Sequence, residues 1–273
     1  MLKQAIIPLA GLGTRLLPLS SITPKELLPI NGKSNLEHIL DECIDAGIKE
    51  FIFIISREKE NIKKYFFNDQ FYKSILSKKK DKRILDTFNK LKRYQKMIRF
   101  VYQNKPKGTG DAILKCQKLI KSSHFLMLFP DDLIIKKNCT KEMLSLHKKT
   151  KSSVIATKVV SRETVSRWGI LSIKDKKKNY FRIKDVVEKP STKMAPSNFA
   201  IIGRYILPIT IMQKLKKLKP GQGGEIHITD AIKQLIDEGE NFYGNIFKGK
   251  YLDCGTLSGY INSSIEIGKE LKK

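Results

Sequence analysis

Residues 10–28 read AGLGTRLLPLSSITPKELL and follow directly on a short apolar run, residues 5–9. An apolar run of this length predicts a buried strand. The Gly-x-Gly turn that begins at Gly11 would then expose its own backbone N–H groups at the end of that strand. Arg15 and Lys25 add positive charge to the same loop. The stretch therefore predicts an α/β fold whose first strand ends at a phosphate-binding loop.

Two other nucleotide-binding motifs fit this loop poorly. The dinucleotide fingerprint requires a third glycine three residues after Gly13, where Leu16 stands. Gly32-Lys33-Ser34 resembles the end of a Walker phosphate loop, but Leu27 stands where that motif needs its first glycine. The triplet instead predicts a turn followed by a helix cap. For the loop at Gly11, an ordinary tight turn is the structural alternative to phosphate binding.

Composition limits the classes of protein that fit. At 273 residues and 41% hydrophobic content, the chain can bury a large core. It has no apolar run of the roughly 20 residues that a membrane span needs. It also enters its first strand without a cleavable signal pattern, so a cytoplasmic protein without membrane contact is expected. The four cysteines and four histidines lack disulfide or metal-ligand spacing, so buried free thiols are expected.

The net charge of +26 comes from 53 Lys and Arg against 27 Asp and Glu. Such a charge suits nucleic-acid binding, which stays a distant alternative. The lysines, however, lie in clusters such as residues 78–80 and 176–178, without interleaved aromatic residues or a DNA-binding motif. A solvated surface and no specific nucleic-acid partner are therefore expected, and the positive field would attract anionic nucleotides.

Apolar periodicity predicts an open sheet with crossover helices. Helices are predicted at residues 36–44, 112–120 and 228–236, and strands at 5–9, 50–55, 125–129, 153–160, 169–173, 181–187 and 199–207. Gly47 is predicted to cap the first of these helices. The basic residues 69–96 are predicted to be helical or poorly ordered. The fold class is therefore α/β, with a Rossmann-like, open, mixed and mainly parallel sheet flanked by helices.

Asp131 and Asp132 follow the predicted strand 125–129 after one residue, Pro130. Ligands of open α/β sheets bind beyond the carboxyl ends of the strands, so a side chain placed there faces the crevice. Carboxylates at that position suit Mg²⁺, which takes one or two protein carboxylates together with phosphate oxygens. A turn or a helix cap is the structural alternative for this Asp pair.

The motifs Gly11-x-Gly13-Thr14-Arg15 and Pro24-Lys25-Glu26-x-x-Pro29 together resemble the signature loop of sugar-phosphate nucleotidyltransferases. The resemblance spans roughly residues 2–268. Its further blocks, in the family's order, are residues 103–110, 129–132, 168–169, 187–190, 195–200, 203–205, 225–231 and 251–256. It implies a nucleotide-diphospho-sugar transferase fold with inserted sugar-binding strands. That fold would be one domain over residues 1–273, with a nucleotide-binding part at about 1–135, a sugar-binding part at about 150–255 and a C-terminal helix at about 256–271.

The resemblance also implies roles for individual residues. Nucleotide binding falls on Ala10, Gly11, Gly13, Glu26, Gln103 and Gly108, and sugar binding on Gly169, Glu188 and Lys189. The catalytic residues would be Arg15, Lys25, Asp131 and Lys189, with Asp131 and Asp253 as ligands of a Mg²⁺ cofactor. The chemistry of the side chains agrees, because Glu188 can accept hydrogen bonds from sugar hydroxyls and Lys189 can pair with a sugar phosphate.

Within the family, the motifs look most like those of enzymes that use UTP and glucose 1-phosphate, so these substrates are expected. The same chemistry with dTTP or CTP stays an alternative, because a pocket discriminates one methyl group weakly. A closed homo-oligomer, a dimer or tetramer, is the default expectation for such an enzyme. The chain departs from the family at Asp111, where His is usual, and at Trp168, where Tyr is usual. It also departs at Gly224 and His227, where Asp and Gln are typical.

Overall fold

The computed structural model describes residues 2–270. The strands are β1 (Gln4–Pro8), β2 (Pro29–Ile30), β3 (Lys33–Ser34), β4 (Glu50–Ile55), β5 (Ile98–Tyr102), β6 (His124–Leu128), β7 (Asp132–Ile135), β8 (Ser153–Val159), β9 (Gly169–Lys174), β10 (Tyr180–Glu188), β11 (Phe199–Pro208), β12 (Phe242–Ile246) and β13 (Lys250–Asp253). The helices are α1 (Asn35–Asp45), α2 (Glu60–Phe67), α3 (Asp69–Leu76), α4 (Lys82–Gln95), α5 (Thr109–Leu114), α6 (Cys139–Thr150), α7 (Ile211–Lys217), α8 (Ile228–Asp237) and α9 (Leu257–Glu270).

Nine strands form one mixed sheet in the order β5-β4-β1-β6-β11-β8-β12-β10-β9. The first four of these are parallel to one another, as the crossover pattern predicts. Beyond β6 the prediction of a mainly parallel sheet is wrong, because there only β8 and β12 pair in parallel. For β9 and β10 the reason is connection length, because residues 175–179 alone join them and a connection that short permits only antiparallel pairing.

Apolar residues cover both faces of the sheet. Alternate residues of β4 point to opposite sides, so that Phe51 and Phe53 join one buried cluster and Ile52 joins the other. Helices α1, α2, α4 and α6 pack on the first side, and α5, α7 and α8 pack on the second. Burial on both faces explains why the central strands read as unbroken apolar runs in the sequence.

The structure confirms several local predictions. Ser34 caps α1, since its hydroxyl accepts a hydrogen bond from the Glu37 N–H at 3.2 Å and the Glu37 carboxylate accepts one from the Ser34 N–H at 3.0 Å. Gly47 follows α1 with a φ of 92°. The segment 69–96 contains the two helices α3 and α4. The predicted C-terminal helix is α9, and residue 271 of that prediction lies outside the described residues.

Two predictions from composition can also be compared with the structure. All four cysteines are buried free thiols, as expected. The lysine clusters at residues 78–80 and 176–178 are exposed to solvent. Among residues 2–270, no helix has the length and apolar character needed to cross a membrane.

A buried ion pair ties α1 to the centre of the sheet. Arg204, in β11, is 0% exposed, and its Nη2 lies 2.7 Å from the Glu42 Oε2. Its guanidinium also donates to the backbone carbonyl of Asp132, at the start of β7. Because both charges are shielded from water, each depends on the other for its stabilisation.

We expect the substitution Arg204→Met to lower the free energy of unfolding by about 3–5 kcal/mol, because it leaves the Glu42 carboxylate buried without its partner. Urea titration followed by circular dichroism measures this loss. The matched control is Lys141→Met, which removes an exposed pair with Asp45 (2.9 Å) and should cost less than about 1 kcal/mol. Equal losses in the two variants would contradict the prediction.

Candidate active site

A cleft of about 810 Å³ opens at the carboxyl ends of β1, β5 and β6. That volume lies within the range of about 300–1,000 Å³ that is typical of small-molecule sites. The lining includes these residues that the sequence predicts to bind nucleotide or phosphate: Ala10, Gly11, Arg15, Lys25, Glu26 and Gln103. The lining also includes the predicted residues Gly108, Asp131, Gly169, Glu188, Lys189 and Asp253. The structure thus brings together residues up to 243 positions apart in the sequence, from Ala10 to Asp253, at the edge where open α/β sheets bind ligands.

Gly13 is the exception among the predicted residues, because it is not part of the cleft lining. It has a φ of 70°, in the left-handed region, and its carbonyl accepts a hydrogen bond from the Ser20 hydroxyl at 2.8 Å. A Cβ at this position would lie 3.3 Å from the Ser20 Cβ. Gly13 therefore shapes the loop that carries Arg15, a structural role that the prediction of nucleotide binding did not include.

Asp131 is the acceptor at the centre of a small cluster of cations. Its Oδ2 lies 2.5 Å from the Lys25 Nζ and 3.5 Å from the Arg15 Nη2. Burial alone would raise the pKa of Asp131, but the charge and hydrogen bond of Lys25 outweigh it and hold that pKa below its usual value. Burial likewise lowers the pKa of Lys25, yet the charges of Asp131 and Glu26 and the hydrogen bond to Asp131 together outweigh it, and the net shift is upward. Both groups are therefore charged at neutral pH.

Asp132 has different partners from Asp131. Its Oδ1 accepts a hydrogen bond from the Tyr251 hydroxyl at 2.6 Å, and its Oδ2 accepts one from the Gly203 N–H at 3.1 Å. Burial and the negative charge of Asp131 raise the pKa of Asp132 to about 6. The Asp132 carboxylate thus links β7 to β11 and β13, whereas the Asp131 carboxylate contacts the cations of the loop.

Asp253 reaches the cleft through a two-stranded ribbon that sequence reasoning missed. In this ribbon β7 and β13 pair antiparallel, with Asp253 opposite Asp132. The Cys254 N–H donates to the carbonyl of Asp131 at 2.7 Å, which joins the two segments directly. Both strands are short and lie far apart in the sequence, so no local pattern indicates that they pair.

The carboxylates of Asp131 and Asp253 border the same small space beside Gly255. A Cβ built on Gly255 would be 2.6 Å from the Asp131 Oδ2, 2.9 Å from the Arg15 Nη2 and 3.2 Å from the Asp253 Oδ1. Only glycine leaves this space open. Within residues 2–270, no group of three or more His, Cys, Asp or Glu side chains is arranged to hold a metal ion. The donors here are two carboxylates, which is the number of protein ligands that Mg²⁺ commonly takes beside phosphate oxygens.

Glu26 lines the cleft, but its carboxylate is paired with the buried side chain of Lys59. Both of its oxygens accept hydrogen bonds from the Lys59 Nζ at 2.8 Å, and Glu26 is only 2% exposed. Burial lowers the pKa of Lys59, and the charge of Glu26 partly opposes that shift. Sequence reasoning missed Lys59, because a lone lysine 33 residues away carries no motif. The pair fixes the wall of the cleft next to Lys25.

The hairpin of β9 and β10 carries the residues that the sequence predicts to bind a sugar. Gly169 begins β9 and pairs with Glu188 at the end of β10, so both backbones meet at the cleft. A Cβ on Gly169 would lie 3.3 Å from the Glu188 Oε2. Lys189 follows with a φ of 44°, and its Nζ lies 3.9 Å from the Glu188 Oε1. The turn at Lys189 thus places a cation beside a carboxylate in the position that the sequence predicts.

Arg167 is a further cation in the cleft that sequence reasoning missed. Its Nη2 lies 3.6 Å from the Asp253 Oδ2, and its guanidinium lies 6.0 Å from the centre of the Trp168 ring. An arginine before an aromatic residue has no predictive pattern of its own. Only the fold reveals that it faces a carboxylate 86 positions further along the chain.

Another wall of the cleft is formed by Gln103, directly after β5, and by Gly108. The backbone N–H of Gln103 donates to the carbonyl of Ile55 at 2.9 Å, which continues the pairing of β4 and β5. Gly108 has a φ of 93°, and a Cβ there would lie 2.7 Å from the carbonyl oxygen of Ile226. Glycine is therefore required at this position by both conformation and space.

Comparison with known proteins agrees with this geometry. Residues 4–270 match the family described as Nucleotidyl transferase. Because the match covers nearly the whole chain, this protein belongs to that family. The fold is accordingly the α/β fold of nucleotide-diphospho-sugar transferases.

Individual relatives narrow the comparison further. The chain is 33% identical over 272 residues to UTP–glucose-1-phosphate uridylyltransferase of Bacillus subtilis, covering 99% of this chain and 92% of that protein. It is 34% identical over 271 residues to the enzyme of the same name from Mycoplasma pneumoniae, covering 97% of this chain and 91% of that protein. A crystal structure of UDP-glucose pyrophosphorylase complexed with UDP-glucose is 34% identical, with a TM-score of 0.87, and the alignment covers 99% of this chain and 100% of that one.

We expect Gly255→Ala to lower the rate of nucleotidyl transfer by about 10²-fold, because the added methyl group would displace the Asp131 carboxylate from its position. Steady-state turnover at saturating substrate measures the effect. Gly268→Ala is the matched control, since a Cβ there meets no atom within 4 Å. Thermal unfolding should show both variants folded, and an unchanged rate in Gly255→Ala would contradict the arrangement described.

Proposed function

We propose that this protein transfers the uridylyl group of UTP to glucose 1-phosphate, giving UDP-glucose and pyrophosphate. The observation that carries the proposal is the convergence of Lys25, Asp131 and Asp253 on one open space in a cleft of suitable size. The relatives that share nearly the full length of the chain bear the name of this activity. No motif for a different group-transfer chemistry competes with it in the cleft lining.

The reaction can proceed without a general base. A sugar 1-phosphate resembles a phosphorylated side chain, whose second pKa is about 6, so its oxygen is already an anionic nucleophile at neutral pH. That oxygen attacks the α-phosphorus of UTP in line. The new P–O bond forms as the bond to the β-phosphate oxygen breaks, and the electron pair leaves with pyrophosphate. The protein must therefore hold two anions together and offset the charge that develops.

The cations of the cleft are suited to that task. We assign Arg15 to the pyrophosphate, Lys25 to the phosphates that are exchanged and Lys189 to the phosphate of the sugar. Lys25 and Arg15 already point at one place, because both contact the Asp131 carboxylate. Glu188, with only part of its side chain exposed, is placed to accept hydrogen bonds from sugar hydroxyls beside Gly169.

Asp131 and Asp253 would hold the Mg²⁺ cofactor. The donor set fits a hard cation, because both ligands are carboxylates and the space between them is kept open by Gly255. When bound, the ion would neutralise charge on phosphate oxygens of the substrates. Arg167, which contacts Asp253 from the other side, would keep that carboxylate oriented.

The base of the nucleotide would lie against Gln103 and Gly108. The Gly108 backbone has no side chain between itself and the cleft, so a flat ring can approach it closely. We also propose a closed homo-oligomer, a dimer or tetramer, since that is the usual state of such enzymes. The cytoplasmic location stays a prediction from the sequence.

The first experiment is pyrophosphate release by the purified protein with Mg²⁺, comparing UTP, dTTP, CTP and ATP with glucose 1-phosphate, and galactose and mannose 1-phosphates with UTP. We expect UTP with glucose 1-phosphate to give the highest kcat/KM. Activity with only another pair would keep the chemistry and reassign the substrates. Silence with every pair, together with tight and salt-dependent RNA binding, would favour the nucleic-acid alternative.

The metal assignment has its own test. Asp131→Asn and Asp253→Asn preserve shape and remove one negative charge each, and each should lower kcat by about 10²-fold or more. Mg²⁺ titration of the rate should also require higher metal concentrations in both variants. The control is Asp86→Asn, an exposed position on α4. Rates within roughly threefold of the parent at saturating Mg²⁺ would show the assignment to be wrong.

A further inference from the structure

Asp111 is a partly buried acid that the chemistry above does not use. It lies in the first turn of α5, and its side chain is 14% exposed. Its Oδ2 accepts a hydrogen bond from the Gln103 Nε2 at 2.7 Å, and its Oδ1 lies 3.6 Å from the Lys115 Nζ, one turn further along the helix. Both carboxylate oxygens therefore have a positively polarised partner.

The surroundings of Gln103 determine which way its amide faces. The Nε2 end lies against two acceptors, the Asp111 carboxylate and the Gly108 carbonyl, the latter at 3.2 Å. An amide oxygen in that place would be repelled by both, since an ionised carboxylate and a carbonyl can only accept. The amide nitrogen must therefore occupy that end, and the Oε1 must lie at the other. Among the residues the structure describes, none donates a hydrogen bond to this Oε1.

An oriented acceptor on the wall of the cleft discriminates between pyrimidines. Gln103 is 5% exposed and lines the cleft, so a base that contacts it is largely removed from water there. Uracil and thymine carry a hydrogen on N3, whereas the N3 of cytosine is itself an acceptor. An acceptor facing another acceptor in a dry site leaves both without a partner, which is costly.

We propose that Asp111 is a positioning residue that selects UTP over CTP by fixing the Gln103 amide with its Oε1 toward N3 of the base. The inference rests on the proposed function and names the residue that sets its nucleotide class. Asp111 itself touches no substrate. The Asp111 carboxylate accepts hydrogen bonds and cannot donate them. The Gln103 amide therefore cannot flip to exchange its oxygen and nitrogen.

The variant Asp111→Asn tests this directly, because an Asn side chain both donates and accepts and therefore tolerates Gln103 in either orientation. We expect the ratio of kcat/KM for UTP to that for CTP to fall by about tenfold or more. The change should come mainly from KM, since the base is held equally in the ground state and the transition state. Asp111→Ala removes the acceptor altogether and should lower the same ratio.

The matched control is Asp69→Asn. Asp69 also lies in the first turn of a helix, α3, and its Oδ1 accepts a hydrogen bond from the Gln95 Nε2 at the same distance, 2.7 Å, but neither residue lines the cleft. This variant should leave the ratio unchanged. Calorimetric titration of each protein with UTP and with CTP, without sugar phosphate, gives the same comparison independently of turnover.

The outcomes separate the two proposals. A parent protein that releases no pyrophosphate from UTP and glucose 1-phosphate would refute the proposed function. A parent that is active with UTP, with Asp111→Asn losing activity toward UTP and CTP in parallel, would overturn the role of Asp111, because a merely structural loss affects both nucleotides alike. A UTP-to-CTP ratio that falls in both Asp111 variants and not in Asp69→Asn would support it.

Discussion

The antiparallel pairing of β7 with β13 is the constraint on which the candidate site depends. It places Asp253 opposite Asp132 and lets the Cys254 N–H bind the carbonyl of Asp131. The carboxylates of Asp131, Asp132 and Asp253 repel one another, so their own charges cannot hold them together. Backbone hydrogen bonds and the Tyr251 hydroxyl do so instead, and they join residues 119 positions apart. The acidic cluster is thus a consequence of strand pairing, and it exists only in the folded chain.

The repulsion within the cluster is offset by cations from other elements. Lys25 and Arg15 reach Asp131 from the loop after β1, and Arg167 reaches Asp253 from the segment before β9. Lys25 is the least exposed of the three, with 15% of its side chain accessible, and its contact with Asp131 fixes its ammonium group before any anion enters. A phosphate group that takes the place of this carboxylate as its partner finds a donor already in position, which lowers the reorganisation that binding and catalysis require.

Much of this arrangement could be predicted from the sequence where the signal is local. The glycine loop after β1, the cap of α1 and the parallel strands follow from turn chemistry and periodicity within about 15 residues. The ribbon of β7 and β13, the antiparallel pairing of β11 with β6 and β8, and the contacts of Lys59 and Arg167 could not be predicted in this way. They depend on partners that lie tens to more than 100 positions away. The motifs located most of the cleft lining, whereas Gly13 proved to shape the loop from outside the cleft.

The two sides of the cleft are built from separate parts of the sheet. The first part consists of parallel strands with crossover helices, whose carboxyl ends all open in one direction. The second is the antiparallel hairpin of β9 and β10, which places Gly169 and Glu188 in register with each other. Asp111 and Gln103 lie on the first part, and among the hydrogen bonds within residues 2–270 none joins them to this hairpin. Under the proposed function, a substitution at Asp111 would therefore change the choice of base without removing a hydrogen bond of the hairpin. The ribbon of β7 and β13 brings Asp131 and Asp253 to the same cleft.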